Sequence, residues 1–416
     1  MSTYDFLQEE ERRVRVLHDQ LAIGDRRVNF VHQFTASNCY YPIRHLQAEQ
    51  LLACPLDNGR HKPRNLEESS IGIFGSLPPE LFNAVLANVD IASLTTMRTT
   101  SWAIRATIDD MASYKAIFKH APHTLRAVLS LKIGSSITCQ QLFDQLCRQK
   151  CTTCNNFGAF LYLLTCERVC FFCFTSSESR YWLSWEQGEI RAAFGDKYPE
   201  LLKLPTARVL PGDYGYAGIY ESKRRPRVVS ARVATEVGTS LLGSKIKFER
   251  ARRREFTHQR KEYLRETSRS DWPELSVRDP SEAMASRVVI GTWRHTKSGL
   301  KGMDNPRRFM CIISFPWLNL NTNAAECGVM CRACYQQLED TTPDEPGWEA
   351  KFAKMKSRKM YSHDDMIAHM ADCTYARVEL DKFIADIGTQ KLRIVSNRRW
   401  PVWRYCKCAR LRAKNS

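Results

Sequence analysis

Residues 151–173 read CTTCNNFGAFLYLLTCERVCFFC, and this stretch decides how the chain folds. It holds two Cys-x2-Cys pairs, Cys151 with Cys154 and Cys170 with Cys173. Each pair offers two thiolates from one tight turn, and four thiolates complete the tetrahedral shell of a structural zinc ion. The residues between the pairs are apolar but too few for a core of their own. The spacing therefore predicts that a zinc ion orders this loop.

Three further cysteines lie close to these pairs in the sequence. Cys166 is a possible alternative ligand, because it also falls near Cys170 and Cys173. Cys139 and Cys147 stand apart, so we interpret them as small buried hydrophobic residues. The chain has 16 cysteines and begins with an acidic segment unlike a secretory signal. In a reducing compartment such paired cysteines indicate metal ligands more often than disulfides.

A second group of ligand residues lies near the C-terminal end. Cys331-x2-Cys334 is followed, after a long gap, by His369-x3-Cys373. Ser362 and Asp365 form a capping-box pattern, which predicts a helix that presents His369 and Cys373 on one face. Three thiolates and one imidazole make a finger-like zinc site. Cys327 and His363 remain possible substitutes within this set.

Residues 74–118 have the pattern of three short helices. Leu77, Leu81, Val85 and Val89 recur every four residues along the first of them. Pro78 and Pro79 suit a first helical turn, since the missing N–H has no partner there anyway. Asp90 is a predicted N-cap of the second helix, and Ser101 is the predicted N-cap of a third helix reaching Ile117. So small a unit usually packs on a partner, and part of its apolar face is a predicted interface.

These residues resemble a known family. The order Leu77-Pro78-x-Glu80-Leu81-x3-Val85-Leu86-x2-Val89-Asp90-x2-Ser93-Leu94-x2-Met97-Arg98-x-Thr100-Ser101 is similar to the F-box in the form common in large fungal F-box families. The resemblance implies docking onto a Skp-type adaptor of a cullin-RING ubiquitin ligase. The docking positions that it implies are Leu77, Pro78, Leu81, Val85, Leu86 and Leu94.

The same family often carries a leucine-rich segment and then Arg-x-Cys-x2-Cys after its F-box. The corresponding residues are Arg168-Val169-Cys170-x2-Cys173. The family pattern often has another cysteine where this chain has Val169. The family's ligand set is therefore not transferred to this chain.

The positive charge is concentrated in two segments. The chain carries 62 basic and 45 acidic residues, a net charge of +17. Residues 223–262 and 391–416 each have a net charge of +9, so the remaining 350 residues are nearly neutral. Each segment is a candidate nuclear-import signal, nucleic-acid contact or solvated face. No stretch reaches the roughly 18 apolar residues of a membrane helix, so we expect an intracellular protein of the nucleus, the cytoplasm or both.

Together these patterns predict a mainly α chain: an N-terminal three-helix F-box unit, then a helical, zinc-stapled body with a few short strands. A helix is predicted over Tyr181 to Leu204, and short strands over Val288 to Trp293 and Phe309 to Phe315. The predicted divisions are an extension and linker at 1–70, the F-box-like unit at 71–120, the Cys-rich module at 139–175, a basic mixed region at 176–326, the second Cys/His module at 327–387 and a basic tail at 388–416.

The predicted function is that of the non-catalytic substrate receptor of a cullin-RING ubiquitin ligase. Its partners would be the Skp-type adaptor, the cullin scaffold and an unknown protein target. No phosphate-binding loop, nucleophile elbow or zinc-hydrolase motif is present in the sequence. One alternative is a zinc-dependent nucleic-acid-binding protein that uses the basic segments. The other alternative is a scaffold protein whose F-box recruits no cullin.

Overall fold

The computed structural model describes residues 35–36, 43–46, 51, 69–175, 184–186, 200, 203–216, 220–223, 225–244, 246–247, 306–335, 357–373 and 376. Helices make up 52% of the described residues, accompanied by short strands and no barrel, which agrees with a mainly α chain. Among these residues no helix is both long and apolar enough to cross a bilayer. The strand predicted at 288–293 and the basic tail lie outside the described residues.

The described helices are α1 (Pro79–Asn88), α2 (Ile91–Met97), α3 (Trp102–Asp110), α4 (Ala112–His120), α5 (Pro122–Ser130), α6 (Cys139–Cys147), α7 (Phe171–Thr175), α8 (Ala231–Leu242) and α9 (His363–Asp372). The described strands are β1 (Thr35–Ala36), β2 (Ile43–Arg44), β3 (Phe160–Tyr162), β4 (Glu167–Val169), β5 (Ser184–Glu186), β6 (Thr206–Arg208), β7 (Gly212–Tyr216), β8 (Tyr220–Ser222), β9 (Arg227–Ser230), β10 (Ile312–Ser314), β11 (Trp317–Asn319), β12 (Ala324–Glu326), β13 (Val329–Cys331) and β14 (Met360–Tyr361).

Local sequence sets where the first helices begin. Pro78 and Pro79 open α1, and the Asp90 carboxylate accepts the Ser93 N–H at 2.9 Å at the start of α2. The Ser101 hydroxyl accepts the Ile104 N–H and caps α3. The predicted helix starts are confirmed. The prediction of a single third helix is wrong, because the chain turns at Met111 and continues as the separate helix α4.

The F-box-like unit shares its core with the residues that follow it. Phe82 and Leu86 of α1 belong to one apolar cluster that extends through Leu142 of α6 to Phe160 of β3. Backbone hydrogen bonds join the two parts, from the Ile91 N–H to the Ile137 carbonyl and from the Cys139 N–H to the Val89 carbonyl. The unit therefore packs on the next helices of its own chain, and α1 does not form a core with α2 and α3 alone.

Five small antiparallel sheets complete the described fold. Their strand orders are β10-β3-β4, β1-β13-β14, β2-β7-β8, β5-β9-β6 and β11-β12. The helix predicted at 181–204 is wrong at residues 184–186, which form β5 and pair with β9. The strand predicted at 309–315 is right only for β10, since Pro306–Cys311 form a 3-10 helix.

Arg168 of β4 is a fully buried charge at the centre of the fold. Its guanidinium donates to four backbone carbonyls, those of Gln145, Gly158, Phe315 and Pro316. Burial of a charge is costly unless its donors are satisfied, and these carbonyls satisfy four of the five guanidinium N–H groups. Burial lowers the pKa of Arg168 to about 9, so the side chain stays charged at neutral pH.

Three separate segments converge on this one side chain. Gln145 belongs to α6, Gly158 precedes β3, and Phe315 lies between β10 and β11 with its ring 4.7 Å from the guanidinium carbon. A Cβ at Gly158 would overlap the Arg168 side chain, so this position requires glycine. Arg168 thus ties the helical layer to the sheet β10-β3-β4.

Replacement of Arg168 by Met is expected to lower the free energy of unfolding by at least about 3 kcal/mol, because each carbonyl left without a donor costs about 1–3 kcal/mol. Urea denaturation of the full chain measures this change. The exposed Arg148 on the neighbouring loop provides the control, and Arg148→Met is expected to change stability by under about 0.5 kcal/mol. Equal effects of the two changes would contradict the role given to Arg168.

Candidate metal centres

The first centre is built by two tight turns that Arg168 holds side by side. Cys151 and Cys154 lie in the loop after α6, closed by a bond from the Cys151 N–H to the Asn156 carbonyl at 2.9 Å. Cys170 follows β4 directly, and Cys173 lies on α7. The Thr152 N–H donates to the Arg168 carbonyl at 2.8 Å, which brings the first turn against the second.

The four sulfur atoms of these turns form a compact group. All four lie within 4.8 Å of one another, and the Sγ atoms of Cys154 and Cys170 are 3.6 Å apart. Backbone N–H groups point at the sulfurs, from Thr153 to Cys151 and from Cys173 to Cys170, each at 3.4 Å. The Asn156 amide donates to the Cys154 sulfur at 3.3 Å. Such donors stabilise thiolates, the form in which cysteine binds metal.

The repulsion among these four thiolates favours the binding of a cation. A hydrogen bond with Cys170 lowers the pKa of Cys151 to about 4, and the same contact raises the pKa of Cys170. Four thiolates this close repel one another, so some of them keep their protons unless a cation neutralises the charge. A divalent metal would remove that repulsion and use all four sulfurs as ligands.

Cys166 does not belong to the first centre. Its backbone is left-handed, with φ 51°, at the turn between β3 and β4, and its thiol is outside the four-sulfur group. Burial raises its pKa to about 12, which keeps the thiol protonated. Cys139 is buried beside the Ser113 hydroxyl, 3.6 Å from its sulfur, as expected for a core residue. Cys147 is half-buried and its carbonyl accepts the Trp317 indole N–H.

The second centre joins the end of β13 to α9. Cys331 ends β13, Cys334 follows within one turn, and His369 and Cys373 come from the last turn and the end of α9. The Cys334 Sγ lies 3.4 Å from His369 Nε2 and 3.6 Å from the Cys373 Sγ. The four ligand atoms all lie within 4.8 Å of one another. The predicted helix start at Ser362 is confirmed, since its hydroxyl accepts the Asp365 N–H.

Tyr361 orients the histidine of this centre. Its ring stacks on His369 with the centroids 4.5 Å apart, and its hydroxyl lies 3.2 Å from Nδ1. This contact engages Nδ1 and leaves Nε2 turned toward the thiols. Partners of this kind fix the tautomer and the ring direction of ligand histidines.

The two substitutes considered from sequence lie outside the second centre. Cys327 is exposed and does not join the four ligand atoms. His363 instead pairs with Glu326, with Nδ1 2.9 Å from the carboxylate. The same carboxylate accepts the His363 backbone N–H at 3.1 Å. His363 therefore anchors the start of α9 to β12.

The six residues implied as adaptor contacts separate into two groups. Leu77, Leu81 and Val85 are 39%, 57% and 52% exposed, and Pro78 is exposed beside them. Leu86 and Leu94 are 0% exposed in the main core. These two side chains hold α1 and α2 to the body, so a partner does not reach them in this structure. We therefore remove Leu86 and Leu94 from the candidate contacts.

Ile73 is an exposed residue that the sequence analysis missed. It lies on the 3-10 helix Gly72–Ser76 and is 85% exposed. With Leu77, Leu81 and Val85 it forms what we call the exposed apolar face. The sequence signal for it is its place four residues before Leu77, which extends the four-residue repeat by one step. Residues 224, 245 and 248–262 of the first basic segment, and all of 391–416, lie outside the described residues.

Comparison with known proteins does not assign this chain to a family. Scans against protein-family models, curated proteins and solved structures found no match to this chain. The F-box resemblance therefore stays a prediction from residues 77–101, and the metal centres are argued from their geometry.

Each centre is expected to bind one metal ion, two per chain. Cys154→Ser and Cys334→Ser should each remove one ion, because an open shell of three ligands loses affinity. Cys166→Ser and Cys327→Ser are the matched controls and should leave both ions bound. Elemental analysis of the purified variants measures the content. Full content in Cys154→Ser, or loss in Cys166→Ser, would contradict the ligand assignment.

Replacement of Tyr361 by Phe keeps the ring stacked on His369 and removes only the hydroxyl. We expect the second centre to lose about 10–100-fold in metal affinity, as other losses of such partners do. Competition with a chromophoric chelator measures this affinity, and the first centre in the same chain serves as the internal reference. Unchanged affinity would show that the stacking alone orients His369.

Proposed function

We propose that this chain is the substrate-receptor subunit of a cullin-RING ubiquitin ligase, which docks on a Skp-type adaptor through its exposed apolar face. The observation that carries the proposal is the exposure of Ile73, Leu77, Leu81 and Val85, all apolar, on the unit that resembles an F-box. Exposed apolar patches on a protein surface usually mark an interaction site. The order of residues at 77–101 resembles an F-box, and this resemblance implies that the partner is a Skp-type adaptor.

The exposed apolar face is held in a defined position. The Phe74 ring stacks on Phe82 with centroids 5.3 Å apart, which fixes the 3-10 helix against α1. The Ser69 hydroxyl accepts the Ala103 N–H, and the Ser101 hydroxyl donates to the Ser70 carbonyl. The segment that carries Ile73 is thus tied to the start of α3. A preorganised surface loses less conformational entropy when it binds.

In this role the chain performs no bond chemistry. A receptor brings lysines of its target close to a ubiquitin-conjugating enzyme and so raises their effective concentration. The shared core of α1–α6 would transmit the position of the docked adaptor to the rest of the body, because one packed cluster joins them. The body would then present the target.

We further propose that both metal centres hold zinc as a structural ion. Four-sulfur and three-sulfur, one-nitrogen shells are those that zinc prefers, and each has no open position for a substrate. Every described cysteine is a free thiol, which fits a cytoplasmic or nuclear protein. The elemental analysis above tests the metal: zinc in both centres supports the proposal, and iron or no metal contradicts it.

Replacement of Leu81 by Asp is expected to abolish co-purification with a Skp-type adaptor, because a charge would be buried at the centre of the contact. The full chain, co-expressed with the adaptor, provides the measurement by affinity capture. Leu81 is exposed, so the change should leave the melting temperature within a few degrees of that of the unmodified chain.

Asn83→Asp is the matched control, since it adds the same charge to the same helix. Asn83 is also exposed but lies outside the exposed apolar face, next to a groove lined by Ala106 and Thr107. It should retain the adaptor. Leu86→Ala is unsuitable as a test, because its buried position predicts a loss of about 2–5 kcal/mol in stability. Failure of the unmodified chain to capture the adaptor would refute the proposal.

A further inference from the structure

The sheet β1-β13-β14 has two faces that belong to two different cores. Met330 of β13 and Met360 of β14 are partners in the antiparallel register, and both belong to the main core that contains the first centre. Val329 and Tyr361 form the next pair, and both belong to the small core around the second centre. Successive residues of a strand point to opposite faces, so this alternation is that of one pleated sheet. We call β1-β13-β14 the shared sheet.

The shared sheet touches the first cysteine turn of the first centre. Gly328 comes just before β13, and a Cβ there would lie within 2.6 Å of the Phe157 ring and 3.3 Å from the Met360 methyl group. Phe157 comes three residues after Cys154 and is 4% exposed. An antiparallel bridge joins Phe157 to Lys150, and this bridge encloses the turn. The start of β13 therefore packs on the ring that closes the first turn.

A second contact reaches the other cysteine turn. The Arg358 guanidinium lies over the Phe171 ring, with its carbon 5.6 Å from the ring centroid, a favourable cation–π arrangement. Phe171 lies between Cys170 and Cys173 and is 3% exposed. Arg358 comes two residues before β14, the strand that carries Tyr361. Both turns of the first centre are thus in contact with the segments that build the second.

The second centre holds the shared sheet in place. β13 has three residues and β14 has two, and strands this short are marginally stable unless something packs on them. Cys331 ends β13, and Tyr361 of β14 stacks on His369 of α9. Since Cys331 and His369 belong to one ligand set, a bound metal ion ties β13 to α9. Loss of that ion would lower the free energy needed to open the two strands locally.

Opening of these strands would remove support from the first centre. Phe157 and Phe171 would lose the cover that Gly328 and Arg358 give them, and buried apolar surface would meet water. The two cysteine turns would then hold their thiols in a less defined arrangement. A site that is less preorganised binds its ligand more weakly, because ordering the site costs part of the binding free energy.

We propose that the two metal centres are coupled through the shared sheet, so that an ion at either centre strengthens binding at the other about tenfold. Linkage requires the effect to be equal in both directions. The proposal rests on the proposed zinc ions and goes beyond them, since two separate structural ions need not influence each other. The chain would take up its two ions nearly together, over a narrow range of free zinc.

The test compares three zinc-binding constants of the full chain, each measured under reducing conditions by competition with a chromophoric chelator. Cys334→Ser gives the constant of the first centre alone, and Cys154→Ser gives that of the second alone. The unmodified chain gives the overall constant for two ions. Coupling makes this overall constant exceed the product of the two single constants, and we expect a ratio of about ten. A ratio of one, with two ions bound, would overturn the proposal.

These two variants each empty one centre, whereas Tyr361→Phe leaves both centres able to fill at saturating zinc. The first centre therefore keeps its use as a reference for Tyr361→Phe when both ions are bound.

Arg358→Gln tests whether the shared sheet carries the coupling. It takes the guanidinium away from the Phe171 ring and leaves both ligand sets in place. Measured in the same cycle of cysteine variants, the ratio should fall about threefold, as expected for the loss of one cation–π contact. Lys115→Gln is the matched control, because it removes one exposed positive charge from α4, which belongs to neither centre. Equal ratios in Arg358→Gln and in this control would overturn the proposal.

Phe171→Leu gives a second readout from the other side of the same contact. Leucine keeps the position apolar but has no ring for the guanidinium. The ratio should fall as it does in Arg358→Gln, and the double variant R358Q/F171L should fall no further, since both changes remove one contact. Losses that add in the double variant would show two unrelated effects and would overturn the proposal.

The results separate this proposal from the proposed function. Adaptor capture plays no part in the zinc measurement, so a chain that captures the adaptor with a ratio of one keeps the receptor role and loses the coupling. A ratio near ten without adaptor capture supports the coupling and refutes the receptor role. A chain that binds fewer than two zinc ions refutes the zinc assignment and the coupling together.

Discussion

Arg168 joins the parts of this protein that the sequence keeps far apart. Its guanidinium satisfies carbonyls from α6, from the loop before β3 and from the segment after β10. The Arg168 backbone carbonyl accepts a hydrogen bond from the Thr152 N–H, and Thr152 lies between Cys151 and Cys154. Arg168 itself lies two residues before Cys170. One residue therefore sets the packing of the layers through its side chain and the approach of the two cysteine turns through its backbone carbonyl. A neutral residue of similar length would fill the space but leave those carbonyls without donors.

The two metal centres stand in different surroundings. The first is part of the main core, where Cys151 and Cys170 are buried among the residues that also hold the F-box-like unit. The second has a small core of its own, formed with Met366, Ile367 and Met370. So small a cluster buries little apolar surface, and a bound metal would supply most of its stability. Gly328, just before β13, packs closely on Phe157, which follows the first pair of cysteines, because a Cβ at Gly328 would overlap the Phe157 ring.

The two sides of α1 have different surroundings. Its exposed apolar face, continued on the 3-10 helix, is uncharged and open to solvent. Leu86 on the same helix is covered by the main core.

Much of the site was predictable from sequence because its chemistry is local. A Cys-x2-Cys pair forms a two-ligand turn in any fold, and residues four apart share a helix face, so spacing predicted the two groups of side chains that the fold brings together. Helix starts at Asp90, Ser101 and Ser362 followed from capping residues for the same reason. Spacing leaves Cys166 and Cys327 as alternative ligands, because it does not say which thiol the backbone turns away.

Tertiary structure alone decided which apolar residues are available to a partner. Leu81, Val85 and Leu86 of α1 are equally apolar in the sequence, yet of these three only Leu86 is covered by the core. Burial depends on what packs against the helix, and α6 comes more than 50 residues after Leu81. The pairing of Met330 with Met360 likewise depends on strand register, which local sequence does not encode. The sequence by itself determined the ligand turns and the helix caps, and long-range packing determined the surfaces.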